Sequence, residues 1–316
     1  RVTPHSVGRC RAATEGPGPE GLREAVRDCD LTRTPTYSRK ATIPPSRLTP
    51  CHLPLHKGGF RSCSKGKNQM TKQRVWQLDA LRGLALLNML AYHAMYDWVY
   101  VFGHASAWYD IGAAGCHIWQ QYICWSFILL SGYSFTLAHR PLKNGLIVAG
   151  CAAVLTIVTV GFMPSESIWF GVLHLNAAAV LLSCLARPLL DKIPAAPGLA
   201  VCAALFALTD QLPWGWLGFE RWHLAALPAG WYSANLFWLG LPDLTRFASA
   251  DYFPLLPWVF LFWCGLFLAR LWRPRAGQAP AALRPLCAIG GRTLLVYMLH
   301  QPVIYGALLA WTALHG

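Results

Sequence analysis

The sequence predicts an all-α fold, a polytopic integral membrane bundle of about seven transmembrane helices with the N-terminus inside and the C-terminus outside. Composition is the first reason: of 316 residues, 55% are hydrophobic, 13% are charged and 15 are tryptophan, a balance that disfavours a soluble globule. The second is a series of seven apolar stretches, each near the roughly 20 residues that a helix needs to cross a bilayer core. The third is the lopsided placement of basic residues between those stretches.

Residues 1–69 stand apart. They hold 13 of the 27 Lys and Arg and five of the 14 acids, and so carry most of the formal charge of +13. They are rich in Pro, Gly, Ser, Thr and Arg, show no helical or alternating period, and contain no apolar run long enough for a signal-peptide core. The expectation is a disordered basic tail that is not native, with the natural start at Met70, the first methionine. Residues 70–316 are then a single membrane domain. Its remaining basic residues belong to a hydrophobic body, where they mark cytoplasmic loops rather than a face for phosphates, so no nucleic-acid partner is expected. The 11 cysteines form no C-x-x-C pair, which leaves neither a zinc site nor a disulfide framework. Cys124, Cys151 and Cys202 read as small apolar packing residues.

The expected spans are 76–97, 117–138, 144–163, 169–187, 195–212, 254–272 and 287–312. With Met70 inside, the inside segments hold Lys72, Arg74, Arg140, Lys143, Arg187, Lys192, Arg270, Arg273, Arg275, Arg284 and Arg292. The outside segments hold only Arg221 and Arg246, beside Asp110, Glu166, Glu220, Asp243 and Asp251. That asymmetry sets the orientation, and an odd number of spans fits it. The outside segment 213–253 is crowded with Trp, Gly and Pro. Its aromatic residues suit the headgroup level, and its length equally suits a lid over an outward-facing site.

An ionisable group within a span costs several kcal/mol unless it is paired or wet, which makes each one a functional candidate. Asp79 and Arg82, at i and i+3 of span one, share a face. They either pair to set helix packing or present Arg82 to an anionic cofactor. His93 lies eleven residues after Arg82 on nearly the same face, and Asp97 follows at i+4, spaced to orient the imidazole as in a minimal general-base unit. His104 falls in an outside loop, "FGHASAWYD". His117, followed by Gln120 and Gln121, begins span two and reads as polar glue between helices. His174 and Asn176 are expected mid-membrane in span four. In span seven His300 and Gln301 precede Pro302, where a break could open backbone groups onto a cavity. His93, His174 and His300 on three different spans argue for one internal polar cavity. There is no Walker loop and no H-E-x-x-H, and the one D-x-D, Asp28 to Asp30, lies in the tail, so nucleotide hydrolysis and metal-dependent glycosyl transfer lack support and no metal is expected. No internal repeat halves the chain, which weakens a transporter reading.

Four strings in order, "RVWQLDALRGLALLNMLAYHAMYD", "IWFGVLHLNAAAVLL", "DYFPLLPWVFLFWCGLFLARL" and "GGRTLLVYMLHQPVIY", resemble the bacterial branch of the heparan-α-glucosaminide N-acetyltransferase catalytic-domain family over nearly all of residues 74–312. The first string is also similar to the type 3 membrane acyltransferases, whose first helix reads D-x-x-R-G and ends on a histidine eleven residues after the arginine. The resemblance implies a multi-pass enzyme of a bacterial cytoplasmic membrane. Such an enzyme moves an acetyl or other acyl group from cytoplasmic acetyl-CoA or acyl-CoA to a saccharide or glycoconjugate acceptor on the far side, with a homodimer as an open alternative. The animal lysosomal enzyme carries its catalytic histidine in an F-x-H-A-S string, which "FGHAS" matches at His104. Where that enzyme has an asparagine eleven residues earlier, this sequence has His93, and either histidine is a candidate base, with Asp97 as partner. Asp79, Arg82, His174, Asn176, His300 and Gln301 are the candidate donor-binding residues. Arg82, Arg140, Lys143 and Arg292 are available to the anionic nucleotide. A bacterial member implies an acceptor other than heparan sulfate. A small-molecule transporter or flippase and a non-catalytic envelope protein are the competing readings.

Overall fold

The computed structural model describes residues 75–274 and 277–315. The tail, Met70, Lys72, Arg74 and Arg275 lie outside the described residues. Eight α-helices follow one another: α1 Trp76–Tyr96, α2 Ala114–Leu137, α3 Pro141–Phe162, α4 Val172–Leu190, α5 Ala195–Thr209, α6 Leu255–Leu271, α7 Arg284–Gly290 and α8 Thr293–His315. A π-helical turn, Asp97–Val101, continues α1. Between α5 and α6 a short antiparallel hairpin joins β1 Trp216–Phe219 to β2 Trp222–Ala226. The fold is therefore mostly helical, with a small hairpin that the sequence did not announce.

Pro141, at the first helical position of α3, lacks only an amide hydrogen that the helix end would leave unused, and Pro164 follows the last turn. Four segments are long and apolar enough to cross a membrane: Pro141–Phe162, Val172–Leu190, Ala195–Trp214 and Thr293–His315. Among them, α3 buries only Gly145 and Ala152, and α8 buries none of its residues. Side chains such as Ile157, Phe162, Leu185 and Leu314 are exposed, as the bilayer-facing surface of a membrane protein would have them.

The core lies between α2, α4, α5 and α6, where Ile128, Leu175, Phe262 and Phe267 are fully enclosed. Trp263 Nε1 donates to Ser183 Oγ (2.9 Å), a polar tie between α6 and α4. The α2–α6 packing is the most extensive in the molecule, and two glycines permit it. A Cβ on Gly132 would overlap the Phe262 carbonyl oxygen, and one on Gly265 would overlap the Leu129 carbonyl oxygen. Backbone-to-backbone approach of this kind is how membrane helices gain dispersion contacts without a hydrophobic driving force. Gly132→Ala is expected to lower stability by about 2 kcal/mol through overpacking, read as a lower unfolding temperature in detergent.

The last expected span, 287–312, is two helices, not one. α7 ends at Gly290, whose backbone presses on α1: a Cβ there would meet the Asp79 carbonyl, and a Cβ on Gly83 would meet that of Leu286. The chain then turns through Gly291 into α8. Pro302 does not break α8, which runs through it.

Candidate active site

α8 runs alongside α1 in the same direction. Asp79 and Gly83 meet Gly290, His93 meets His300, the turn at Asp97 meets Gln301, and Phe102 meets Tyr305. The His93 and His300 rings lie 4.9 Å apart, centroid to centroid. His300 Nδ1 donates to the Tyr297 carbonyl at 2.5 Å. A carbonyl can only accept, so Nδ1 carries the proton and Nε2 is left with a lone pair.

Asp97 is 1% exposed. Its two carboxylate oxygens accept from Gln301 Nε2, each at 2.9 Å. The carboxylate that the i, i+4 spacing assigned to His93 is thus held by α8. The backbone is still α-helical up to Asp97, whose amide donates to the His93 carbonyl, and the π-helical turn begins only there, so it is the arrival of Gln301 from α8 that claims the carboxylate. The same turn delivers His104, whose backbone amide donates to the Trp98 carbonyl (3.1 Å) and whose ring stacks on the Trp98 indole at 3.8 Å. The loop beyond is tied back to α1, with Tyr109 OH donating to the Tyr92 carbonyl (3.3 Å) and both rings in edge contact with Trp119.

Asp79 and Arg82 form an ion pair at 2.6 Å, and Arg82 also donates to Ser134 Oγ on α2. The pair joins two helices, with the side chains 13% and 23% exposed respectively.

His174 and Asn176 lie in the first two turns of α4, not mid-membrane, because the helix begins only after Gly171. His174 Nδ1 accepts from the Gly171 amide (3.3 Å), so the proton sits on Nε2, which donates to Thr156 Oγ1 on α3 (3.1 Å). Thr156 in turn donates to the Ile168 carbonyl (2.7 Å). Both ring nitrogens are therefore occupied in fastening α3 to the start of α4. Asn176 Nδ2 donates to the Val172 carbonyl (2.9 Å).

The same helix start is met by Asp251, at the end of the long segment between α5 and α6, which accepts from the Val172 amide at 3.0 Å. Neighbouring bonds join Phe253 to Phe170, Ala250 to Ser167 and Trp169 to Ser249. Although Asp251 keeps some exposed surface, its carboxyl group is turned inward, and burial pushes it up to about 6 against the opposing pull of the Val172 hydrogen bond. The folded chain therefore holds this proton more tightly than the unfolded chain does. The Asp251 contribution to stability falls as pH rises from about 4 to about 6 and is flat above that. Asp251→Asn keeps the acceptor for Val172, and the variant's unfolding temperature relative to wild type is expected to rise across that window.

Three buried polar atoms have no hydrogen-bond partner among the described residues and bear on this site: His104 Nε2, Gln301 Oε1 and Asn176 Oδ1. Buried groups of this kind are normally satisfied, so they are where a polar ligand would be expected to bind. Among the described residues no cluster of three His, Cys, Asp or Glu side chains could hold a metal ion.

The model of one protein family, the heparan-alpha-glucosaminide N-acetyltransferase catalytic family, matches residues 74–302. The chain belongs to that family. No curated protein and no solved structure is significantly similar to it. Membership makes the chain a membrane acetyltransferase, and the matched region includes α1, His104, α4 and the His300–Gln301 pair. The structure also brings in residues that the sequence did not single out: Trp98 stacks on His104, the Tyr297 carbonyl fixes the His300 tautomer, and Asp251 holds the start of α4. Only the scarcity of acids in the body of the chain could have drawn attention to Asp251.

Proposed function

We propose that the protein is an integral enzyme of a bacterial cytoplasmic membrane that takes an acetyl group from acetyl-CoA at its inner face and transfers it to an amino sugar or related glycoconjugate at its outer face. The observation that carries this reading is the string of polar groups along the parallel pair α1 and α8. It begins at Asp79 and Arg82, reaches the His93–His300 pair and ends beside Asp97, Gln301 and His104. Arg82 and His93 are eleven residues apart, roughly 16 Å along the helix, so the string covers about half of a hydrocarbon core roughly 30 Å thick. The orientation argued from basic residues places Arg82, with Arg140, Lys143 and Arg292, at the inner mouth to receive the anionic nucleotide. A last long helix parallel to the first suits an odd number of spans, such as the seven that the sequence leads one to expect.

His104 is the base in this reading. Its ring is stacked on Trp98 and its Nε2 is buried without a hydrogen-bond partner among the described residues. Nε2 takes the proton of the acceptor amine as that nitrogen attacks the thioester carbonyl. The carbon–sulfur bond then breaks, and the departing thiolate recovers the proton from the imidazolium. Such general-base assistance is worth typically ~10²–10⁴-fold. His93 and the Nε2 lone pair of His300 hold the polar end of the acceptor or the thioester beside it, and Asp97 positions Gln301, whose Oε1 is free to accept from a ligand. His174 serves the reaction indirectly, by fixing the start of α4.

The test is incorporation of label. Membranes containing the chain are incubated with acetyl-labelled acetyl-CoA and a panel of amino-sugar acceptors. Label on a sugar supports the reading. Absence of transfer to every acceptor, together with movement of unmodified sugar across the membrane, would favour a transporter.

A further inference from the structure

A second site lies at the opposite end of the helices from the histidines. The start of α1 and the ends of α2, α4 and α6 enclose a cavity of about 420 Å3, within the size range of small-ligand pockets. Arg187, Arg270 and Arg273 line it, with Asp191 as the one carboxylate. Asp191 is shared between Arg270 (2.8 Å) and Arg187 (3.6 Å), which leaves an excess of two positive charges around one hollow.

Arg270 is fixed in place. It donates to the Leu190 carbonyl (2.9 Å), caps the end of α4 and lies over the Phe267 ring at 5.2 Å. Arg187 stands at the rim, its side chain 58% exposed, and Arg273 forms no ion pair among the described residues. The rest of the lining is largely apolar, with Phe135 and Leu137 of α2, Leu190 of α4 and Leu266 and Ala269 of α6. Clustered guanidinium groups beside an apolar wall match a phosphate attached to a hydrophobic or aromatic body, because the planar fork of arginine bonds phosphate oxygens in pairs.

We infer that this cavity binds a phosphate ester; none of the cations assigned above to the acetyl donor, Arg82, Arg140, Lys143 and Arg292, lines it. The phosphate comes either from the headgroup of an anionic phospholipid or from a nucleotide. The inference does not depend on acetyl transfer.

The experiment uses the purified full-length chain in neutral detergent. Dihexanoyl phosphatidylglycerol and adenosine 3′,5′-bisphosphate are each titrated, with dihexanoyl phosphatidylcholine as the zwitterionic control. The expected result is saturable binding of at least one of the two anionic probes, weakened at least about tenfold in an Arg187→Gln, Arg273→Gln double variant. It should be unchanged in Arg284→Gln, a basic residue outside the cavity. Competition between the two probes assigns the source. An unfolding temperature of the double variant equal to that of wild type shows that folding is intact, and Arg273→Gln alone serves if it is not. Binding of neither probe, equal binding of phosphatidylcholine, or undiminished binding by the variants would overturn the inference. Because the readout is binding, it can fail while label transfer succeeds, and the reverse.

Discussion

Replacing His104 with alanine is expected to reduce acetyl transfer by about 10²–10⁴-fold while leaving KM for acetyl-CoA nearly unchanged. The split follows from position. His104 lies beyond the end of α1 and its π-helical turn, whereas Arg82 lies near the start of α1, so in the proposed reaction His104 would meet the reacting atoms and not the anionic part of the donor. His93→Ala is expected to have a smaller effect on kcat and to raise KM for the acceptor, because His93 packs against His300 and in the proposed reaction holds the acceptor rather than taking its proton. Measuring kcat and KM for both substrates in the two variants checks the division of roles. Transfer by His104→Ala at the wild-type rate would remove His104 from the chemistry.

Gln301→Leu is expected to destabilise the fold by about 3 kcal/mol. The substitution keeps the volume roughly constant but removes both hydrogen bonds to Asp97, whose carboxyl group is buried at the junction of α1 and α8. Leaving a buried acid without partners costs far more than losing an exposed bond. A companion substitution separates site from scaffold: in the Asp97→Asn, Gln301→Leu double variant the ionisable partner is gone, and much of the lost stability should return. Chemical or thermal unfolding in detergent reads both. A single-variant loss below about 0.5 kcal/mol would mean that the buried acid is satisfied by some other group.

The helices were legible in the sequence because apolar length alone defines them, and each expected span coincides with a helix to within a few residues except the last. That exception has a local cause. Gly290 and Gly291 sit in an apolar run, which by its length reads as one span although the chain turns there between α7 and α8. The hairpin at Trp216–Ala226 was hidden by its mixture of Trp and Gly, which suits an interfacial loop equally well. At the site, spacing along one helix foretold the Asp79–Arg82 pair, since i, i+3 neighbours share a face whatever the fold does. Spacing misassigned Asp97, because the partner, Gln301, is some two hundred residues away in sequence. His174 was visible as a costly residue, but not its purpose, which depends on Thr156 from another helix.

Sidedness tests the central claim most directly. The chain is reconstituted into sealed vesicles in one orientation, with labelled acetyl-CoA confined to the face bearing Arg82 and an amino-sugar acceptor confined to the face bearing His104. The account predicts that label appears on the sugar across the intact membrane, and that exchanging the two compartments abolishes it. Transfer only when donor and acceptor share a compartment would contradict the account.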